Sequence, residues 1–277
     1  MSDQTSTAIN RQASEAVIER PFRFLSLGAG IQSTTIYLLA LHGEIPPIDL
    51  AVFADTQWER HRTYTHLTWL EETFGHRIPI QRVTRGDVRD GWWQMPLYTD
   101  AEEDEKEGRI SRNCSRDFKV AAVRSVVRPI YLAQPKPRQP LTQLMGFSTD
   151  ELERATVSPV KYLRNAFPLL HERPMTKGDC LAWMDEQGYP LPPKSACIGC
   201  PMRSDDSWLD LDPDEWAEAV ALDESLRDGS RAGERGPSRP VYLHRRGPLA
   251  TVELRPRHKD GDQLGIPLCD PGAGCWT

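Results

Sequence analysis

The sequence predicts an α/β fold in which a parallel sheet carries helices on its faces, joined to a small cysteine-bearing C-terminal region. Three observations predict it. From Arg23 onward, short apolar runs alternate with helical patterns, the rhythm of parallel strands joined by right-handed helical crossovers. The first apolar run ends in the turn Gly28-Ala29-Gly30, which opens a helix. The last third of the chain carries Cys197-Ile198-Gly199-Cys200-Pro201, a spacing that lets two sulfurs reach one metal centre.

Taken in order, residues 1–20 are polar and unpatterned and read as a disordered lead-in. The α/β domain is expected over 21–175. Its strands and helices are predicted at Phe24–Leu27, Gln32–His42, Leu50–Ala54, His61–Phe74 and Ile78–Val83. The stretch from Thr84 to Asn113, with Trp92, Trp93 and an acidic run from Glu102 to Glu107, breaks the rhythm; a connection that long inside a domain is functional or mobile. A helix over Lys119–Ala133, a proline-rich link and a strand over Leu141–Gly146 complete the series. The C-terminal region, 176–277, is predicted helical around Lys177–Gln187 and Asp212–Arg227, with a flexible loop over 228–240 and a mobile tail.

Composition narrows the function class. The chain has 277 residues, 39% hydrophobic, and a formal net charge of -6, so it can bury a core and is not a broad electrostatic binder of DNA. Local basic stretches, Arg109 to Lys119 and His244-Arg245-Arg246, still suit phosphates. No run has the length of a membrane span, and the first residues lack a secretory pattern, so no membrane partner and a cytoplasmic location are expected. Six cysteines are too few for a disulfide scaffold in a chain this long, and in a reducing compartment Cys-x-x-Cys points to metal or redox work. A serine hydrolase is set aside, because Ser33 lacks the Gly-x-Ser-x-Gly elbow.

Read on residues alone, Ser26-Leu27-Gly28-Ala29-Gly30-Ile31-Gln32-Ser33-Thr34 is either a phosphate cradle or a plain tight turn. Gly28 and Gly30 permit close backbone approach, and the helix start beyond them has free N–H donors and a favourable dipole for an anion. Neither the Walker nor the Gly-x-Gly-x-x-Gly form is met. The loop resembles the PP-loop of the adenine nucleotide alpha-hydrolase-like superfamily, of the form Ser-Gly-Gly-x-Asp-Ser, with Gln32 in the acidic place. Further along, Phe53-Ala54-Asp55-Thr56-Gln57-Trp58-Glu59 and Gly146-Phe147-Ser148-Thr149-Asp150-Glu151-Leu152-Glu153-Arg154 are similar to stretches of the PAPS reductase branch. Phe167-Pro168-Leu169 and Met175-Thr176-Lys177-Gly178-Asp179 follow in the same order. The likeness spans about residues 22–202 and is closest to PAPS reductase-like proteins of phages and mobile elements.

That resemblance implies a Rossmann-like (HUP-type) sheet binding ATP or an adenylyl sulfate, with a magnesium ion beside the phosphates. It assigns nucleotide contacts to Ser26, Gly28, Gly30, Gln32, Ser33, Thr34, Asp55, Thr56, Gly146, Asp150 and Glu151, with Arg116, Lys119 and Arg154 offsetting phosphate charge. Cys114, in Arg112-Asn113-Cys114-Ser115-Arg116, looks like the cysteine segment of iron-sulfur APS reductases, with Asn113 where a second cysteine stands there. With Cys197 and Cys200 it would hold a 4Fe-4S cluster through three thiolates, or zinc; the pair is otherwise simply two buried free thiols. Cys180 reads as core, and the tail thiols Cys269 and Cys275 as a redox thiol or fourth ligand.

Three functions are expected to compete. The first is sulfur transfer to an adenylated substrate, with sulfide or a thioredoxin-like donor behind it and a nucleobase, tRNA, DNA or metabolite as acceptor. Reduction of an adenylyl sulfate to sulfite by a cysteine thiolate is the second. The third is a non-catalytic nucleotide sensor braced by zinc. Trp92 and Trp93 are candidates for the acceptor pocket, or else a lid packed on its own core.

Overall fold

A computed structural model describes residues 20–99, 108–110, 112–227 and 239–256. A five-stranded parallel sheet runs in the order β3-β2-β1-β6-β7. Its strands are β1 (Arg23–Leu27), β2 (Leu50–Asp55), β3 (Ile80–Thr84), β6 (Leu141–Leu144) and β7 (Leu163–Ala166). The order reverses at β1, which has β2 on one side and β6 on the other. In open α/β sheets such a reversal opens a crevice beyond the carboxyl ends of the strands.

Helices cover both faces. On one lie α1 (Ile31–His42), α2 (His61–Phe74) and α4 (Lys177–Glu186), whose apolar side chains join Leu25, Leu27, Ala51 and Phe53 in the largest core cluster. α1 is buried almost all round and stops at Gly43, whose φ of 75° supplies the left-handed residue of a helix C-terminus. α4 starts in a capping box in which Thr176 and Asp179 exchange hydrogen bonds with each other's backbone. On the opposite face α3 (Ala121–Ala133) packs Ala122, Val123 and Val127 on Phe24, Val52 and Leu141.

A second core lies beside the sheet. It gathers Trp58, Trp92, Leu97 and Phe118 with Ile198, Trp208 and Leu243, under a small antiparallel sheet of β4 (Tyr98–Thr99), β5 (Gly108–Arg109) and β8 (Val241–Tyr242). Two more helices, α5 (Asp205–Leu209) and α6 (Pro213–Ser225), complete it. The buried Arg60 guanidinium ties the turn after β2 to α6 through Glu215 at 3.0 Å and to Asp210 at 2.5 Å.

The predicted α/β series is found, with shifted ends. β3 begins at Ile80 because Pro79 cannot donate to the ladder, and β6 stops at Leu144, short of Gly146. The helix expected from Lys119 starts earlier, as a π-turn over Ser115–Val120 that runs into α3. Edge strand β7, α5 and the small sheet were not predicted; the two-residue strands of the small sheet and the five-residue α5 are too short to show a period. Trp92 is buried in the second core and meets Trp93 edge-on at 6.2 Å, so this tryptophan is core rather than acceptor pocket. The lead-in, the acidic run, most of the 228–240 loop and the tail with Cys269 and Cys275 lie outside the described residues. Among the described residues no helix is long and apolar enough to cross a membrane.

Candidate active site

The loop after β1 is closed by its own serine. Ser33 Oγ accepts from Gly28 N at 3.2 Å and donates to Gly30 O at 3.3 Å, while Ala29 sits at φ 52°, a left-handed conformation costly for a residue with a Cβ. Gly146, just past β6, packs so tightly on the start of α1 that a Cβ there would stand 2.9 Å from Ser33 N. The result is a cavity at the sheet's reversal point, with Gly28, Gly30, Gln32, Ser33 and Gly146 on one wall and Arg154, Lys177 and Lys194 among the groups facing them. Free donors at a helix start opposite three cations make a receptacle for a polyanion.

One side of that cavity is a hydrogen-bonded unit. Gln32 Nε2 donates to Glu151 Oε2 at 2.8 Å and to Ser148 Oγ at 3.3 Å, and Arg154 donates to the other oxygen of Glu151 while lying 4.5 Å over the Phe147 ring. Asp150 turns away, accepting from Lys177 N at 3.3 Å at the start of α4. Thr34 is fully buried behind the loop, 3.2 Å from His66 Nε2, and burial pulls that imidazole down to about 4. Ser26 faces a separate cavity on the α3 side.

The three cysteines expected to act together do share a space. Cys114, Cys197 and Cys200 line one cavity with Thr56, Arg112 and Lys119. The Cys-x-x-Cys turn is held from behind: Ile198 N donates to Trp58 O at 2.8 Å, and the buried Arg203 guanidinium donates to Ile198 O and Cys197 O, both at 2.9 Å, and to Ser207 Oγ at 2.8 Å. A Cβ on Gly199 would run into the Trp58 ring at 2.1 Å. In front, Glu59 is buried and its Oε1 collects Thr56 Oγ1 at 2.9 Å, Lys119 Nζ at 3.0 Å and the Cys197 thiol at 3.6 Å. Burial opposes the Lys119 charge, but the Glu59 carboxylate holds the ammonium above its ordinary value. Burial, then Glu59, pushes the Cys197 thiol well up, and burial also raises that of Cys114.

Cys114, Cys197 and Cys200 are the residues of this cavity that would carry a thiolate-held group. Lys119 and Arg112 stand beside sulfurs that become anionic on ligation, and Arg112 Nη1 is buried with no partner among the described residues. Among the described residues no three His, Cys, Asp or Glu side chains converge closely enough to hold a single metal ion.

Several expected contacts fall elsewhere. Asp55 Oδ1 accepts from Tyr64 OH and from Gln57 N, each at 2.7 Å, where it caps the turn after β2. Thr56 and Lys119 belong to the thiol cavity rather than to the phosphate wall. Arg116 points into solvent and pairs with Asp117 at 2.7 Å, because the π-turn buries Ser115 and Phe118 and turns this side chain outward. Cys180 is core, its thiol pushed up to about 12 by burial. Lys177, Lys194 and Arg203 were missed. Lys177 left a signal, since a lysine in the first turn of a capped helix opposes the helix dipole and needs an anion to justify it.

The two cavities adjoin. Ser195, Ala196 and Cys200 line both, and Ser195 lies so close to Gly30 that a Cβ on the glycine would stand 3.2 Å from the serine Cβ.

No family model matches the chain, and no curated protein matches it. Among solved structures it is similar to the phosphoadenylyl-sulfate (PAPS) reductase of Candida auris in its phosphate complex, with 13% identity and a TM-score of 0.41 over 69% of this chain and 90% of that one. It is also similar to the U34-tRNA thiolase NcsA of Methanococcus maripaludis with its 4Fe-4S cluster, with 13% identity and a TM-score of 0.38 over 76% of this chain and 68% of that one.

Proposed function

We propose that this protein is an adenine-nucleotide-dependent sulfur-transfer enzyme that activates an acceptor with ATP and delivers sulfur from a cluster held by Cys114, Cys197 and Cys200. The observation that carries the reading is the shared wall: Ser195, Ala196 and Cys200 border both the cationic loop cavity and the thiol cavity. A nucleotide whose phosphates fill the first has its reacting end beside the second.

The residues divide the work accordingly. Amides at the start of α1, with Arg154, Lys177 and Lys194, hold the β- and γ-phosphates and offset the charge that builds as pyrophosphate leaves. An acceptor oxygen attacks the α-phosphorus, the bond to pyrophosphate breaks, and the acceptor becomes an adenylate. Sulfur then displaces AMP. Cys114, Cys197 and Cys200 would hold the cluster, which would supply the sulfide for that displacement. Lys119 and Arg112 offset thiolate charge, while Arg203 and the Trp58–Ile198 hydrogen bond fix the turn that presents the sulfurs. Reduction of an adenylyl sulfate needs an attacking thiol in reach of the loop cavity. Cys200 lines that cavity, and the tail thiols lie outside the described residues.

The test is anaerobic purification with iron, acid-labile sulfide and absorption measurements on the wild type and Cys197→Ser, followed by an assay of pyrophosphate release from ATP. Iron and sulfide in cluster proportion, lost in the variant, with pyrophosphate release in the wild type, are expected. Zinc alone, without nucleotide turnover, would refute the reading in favour of a sensor.

A further inference from the structure

Two buried guanidinium groups lie close to the thiol-bearing turn, and they are answered differently. Arg60 meets the carboxylates of Glu215 and Asp210. Arg203, enclosed between the Cys-x-x-Cys turn and α5, meets neutral oxygens alone. Nε donates to Ile198 O at 2.9 Å, Nη2 to Cys197 O at 2.9 Å and to Ala196 O at 3.5 Å, and Nη1 to Ser207 Oγ at 2.8 Å and Ser207 O at 3.3 Å. The Trp208 ring lies against the group, 5.7 Å from its centre. All five N–H groups of the side chain are therefore used, yet among the described residues it forms no ion pair.

Hydrogen bonding is complete there and charge is not. A guanidinium keeps its proton in a folded protein, and a buried charge is ordinarily paired because carbonyl dipoles soften its desolvation without cancelling it. Holding three carbonyls in place needs donors, which a neutral side chain can supply. The cation has a further use at this position. Its partners Cys197 O and Ile198 O belong to the turn that carries Cys197 and Cys200, and Arg203 lines the loop cavity together with Cys200. The thiol cavity's own ammonium, Lys119, is already taken up by Glu59 at 3.0 Å. Thiols become anionic when they ligate, so an unanswered positive charge and sulfurs that turn negative meet at one short turn.

We infer that Arg203 is a positioning residue whose fixed charge, in addition to its hydrogen bonds, tunes the sulfur site by stabilising the electron-rich state of what Cys197 and Cys200 hold. The inference rests on the proposed cluster reading and adds the residue that sets the cluster's potential. A cation in a low-dielectric core acts strongly on neighbouring charge and is little screened by salt.

The experiment is a spectroelectrochemical titration of the full-length protein after anaerobic reconstitution, with iron content measured alongside, for the wild type, Arg203→Lys and Arg203→Gln. Lysine keeps the charge and loses the planar fork; glutamine loses the charge and keeps a donor. A fixed cation favours the more negative, reduced state, so Arg203→Gln should lower the midpoint potential by about 59 mV or more, which is tenfold in the oxidised-to-reduced ratio for one electron. Arg203→Lys should stay near the wild type. If the glutamine variant holds no iron, iron retained by the lysine variant reports the same dependence on charge. An unchanged potential in an iron-loaded Arg203→Gln, equal shifts in the two variants, or iron lost from both would make Arg203 a scaffold alone and overturn the inference, with the sulfur-transfer reading left standing. A wild type that takes up no iron overturns both.

Discussion

Gln32 and Glu151 are a matched pair. The Gln32 amide donates to the Glu151 carboxylate at 2.8 Å across the mouth of the loop cavity, and Arg154 takes the second oxygen. In the loop form that this sequence resembles, position 32 is acidic. Here an acid at 32 would confront Glu151 with like charge, so the amide suits its partner and keeps both carboxylate oxygens engaged inside the protein.

Gln32→Glu should therefore lower stability by about 1–3 kcal/mol, the cost of replacing a part-buried charged hydrogen bond with repulsion, and should weaken ATP binding by loosening the Thr149–Arg154 turn. Exchanging the partners in Gln32→Glu/Glu151→Gln should recover most of the stability. Denaturant melts of the three variants measure it; a double variant no better than the single one would show that the pair is not coupled.

Gly146→Ala tests the seat of the loop. Its Cβ would stand 2.9 Å from Ser33 N and 3.3 Å from the Gln32 carbonyl carbon, and backbone cannot swing aside as a side chain can. Overpacking of this kind costs about 1–3 kcal/mol, and the displaced helix start should cost nucleotide affinity beyond that. Unchanged nucleotide affinity in a folded variant would remove the loop from the binding site.

Lys119→Met leaves the Glu59 carboxylate buried without its cation. Breaking a buried pair from one side costs roughly 3 kcal/mol or more, and the thiol cavity loses a positive neighbour, so iron content after anaerobic reconstitution should fall as well. Glu59→Gln/Lys119→Met, with no charge left to strand, should regain most of the stability but not the iron. Full iron occupancy in the single variant would place Lys119 outside the role of charge compensation.

Much of this was legible in the sequence, for physical reasons that also explain what was not. β1 and β2 could be read because buried parallel strands are continuous apolar runs, α1 because a long apolar stretch runs between the Gly30 turn and Gly43, and α2 because its buried residues, Thr63, His66, Leu67 and Leu70, keep a helical spacing. Cys114, Cys197 and Cys200 could be gathered by spacing and likeness, and the structure brings them to one cavity. Side-chain direction was beyond reach. Arg116 and Lys119 sit three residues apart on one π-turn, yet one pairs with solvent-facing Asp117 and the other with buried Glu59. Asp55 looked like a ligand and is a turn cap. Arg203, whose guanidinium carries the Cys-x-x-Cys turn, has no sequence signature at all, because its partners are backbone carbonyls.

His66 gives a prediction about pH. Its ring is buried against Thr34 directly behind the phosphate loop, and burial pulls its pKa from 6.5 down to about 4. In the unfolded chain the imidazole takes up a proton as pH falls through 6.5; in the folded protein it stays neutral until about 4. The unfolded state binds more protons across that window, so stability is full above 6.5 and is lost as pH drops toward 4, by an amount on the order of 3 kcal/mol for this group. His66→Gln keeps a partner for the Thr34 hydroxyl and removes the titration. Its unfolding free energy should fall less steeply than the wild type's between pH 6.5 and 5, and parallel slopes for the two proteins would assign the acid sensitivity to other groups.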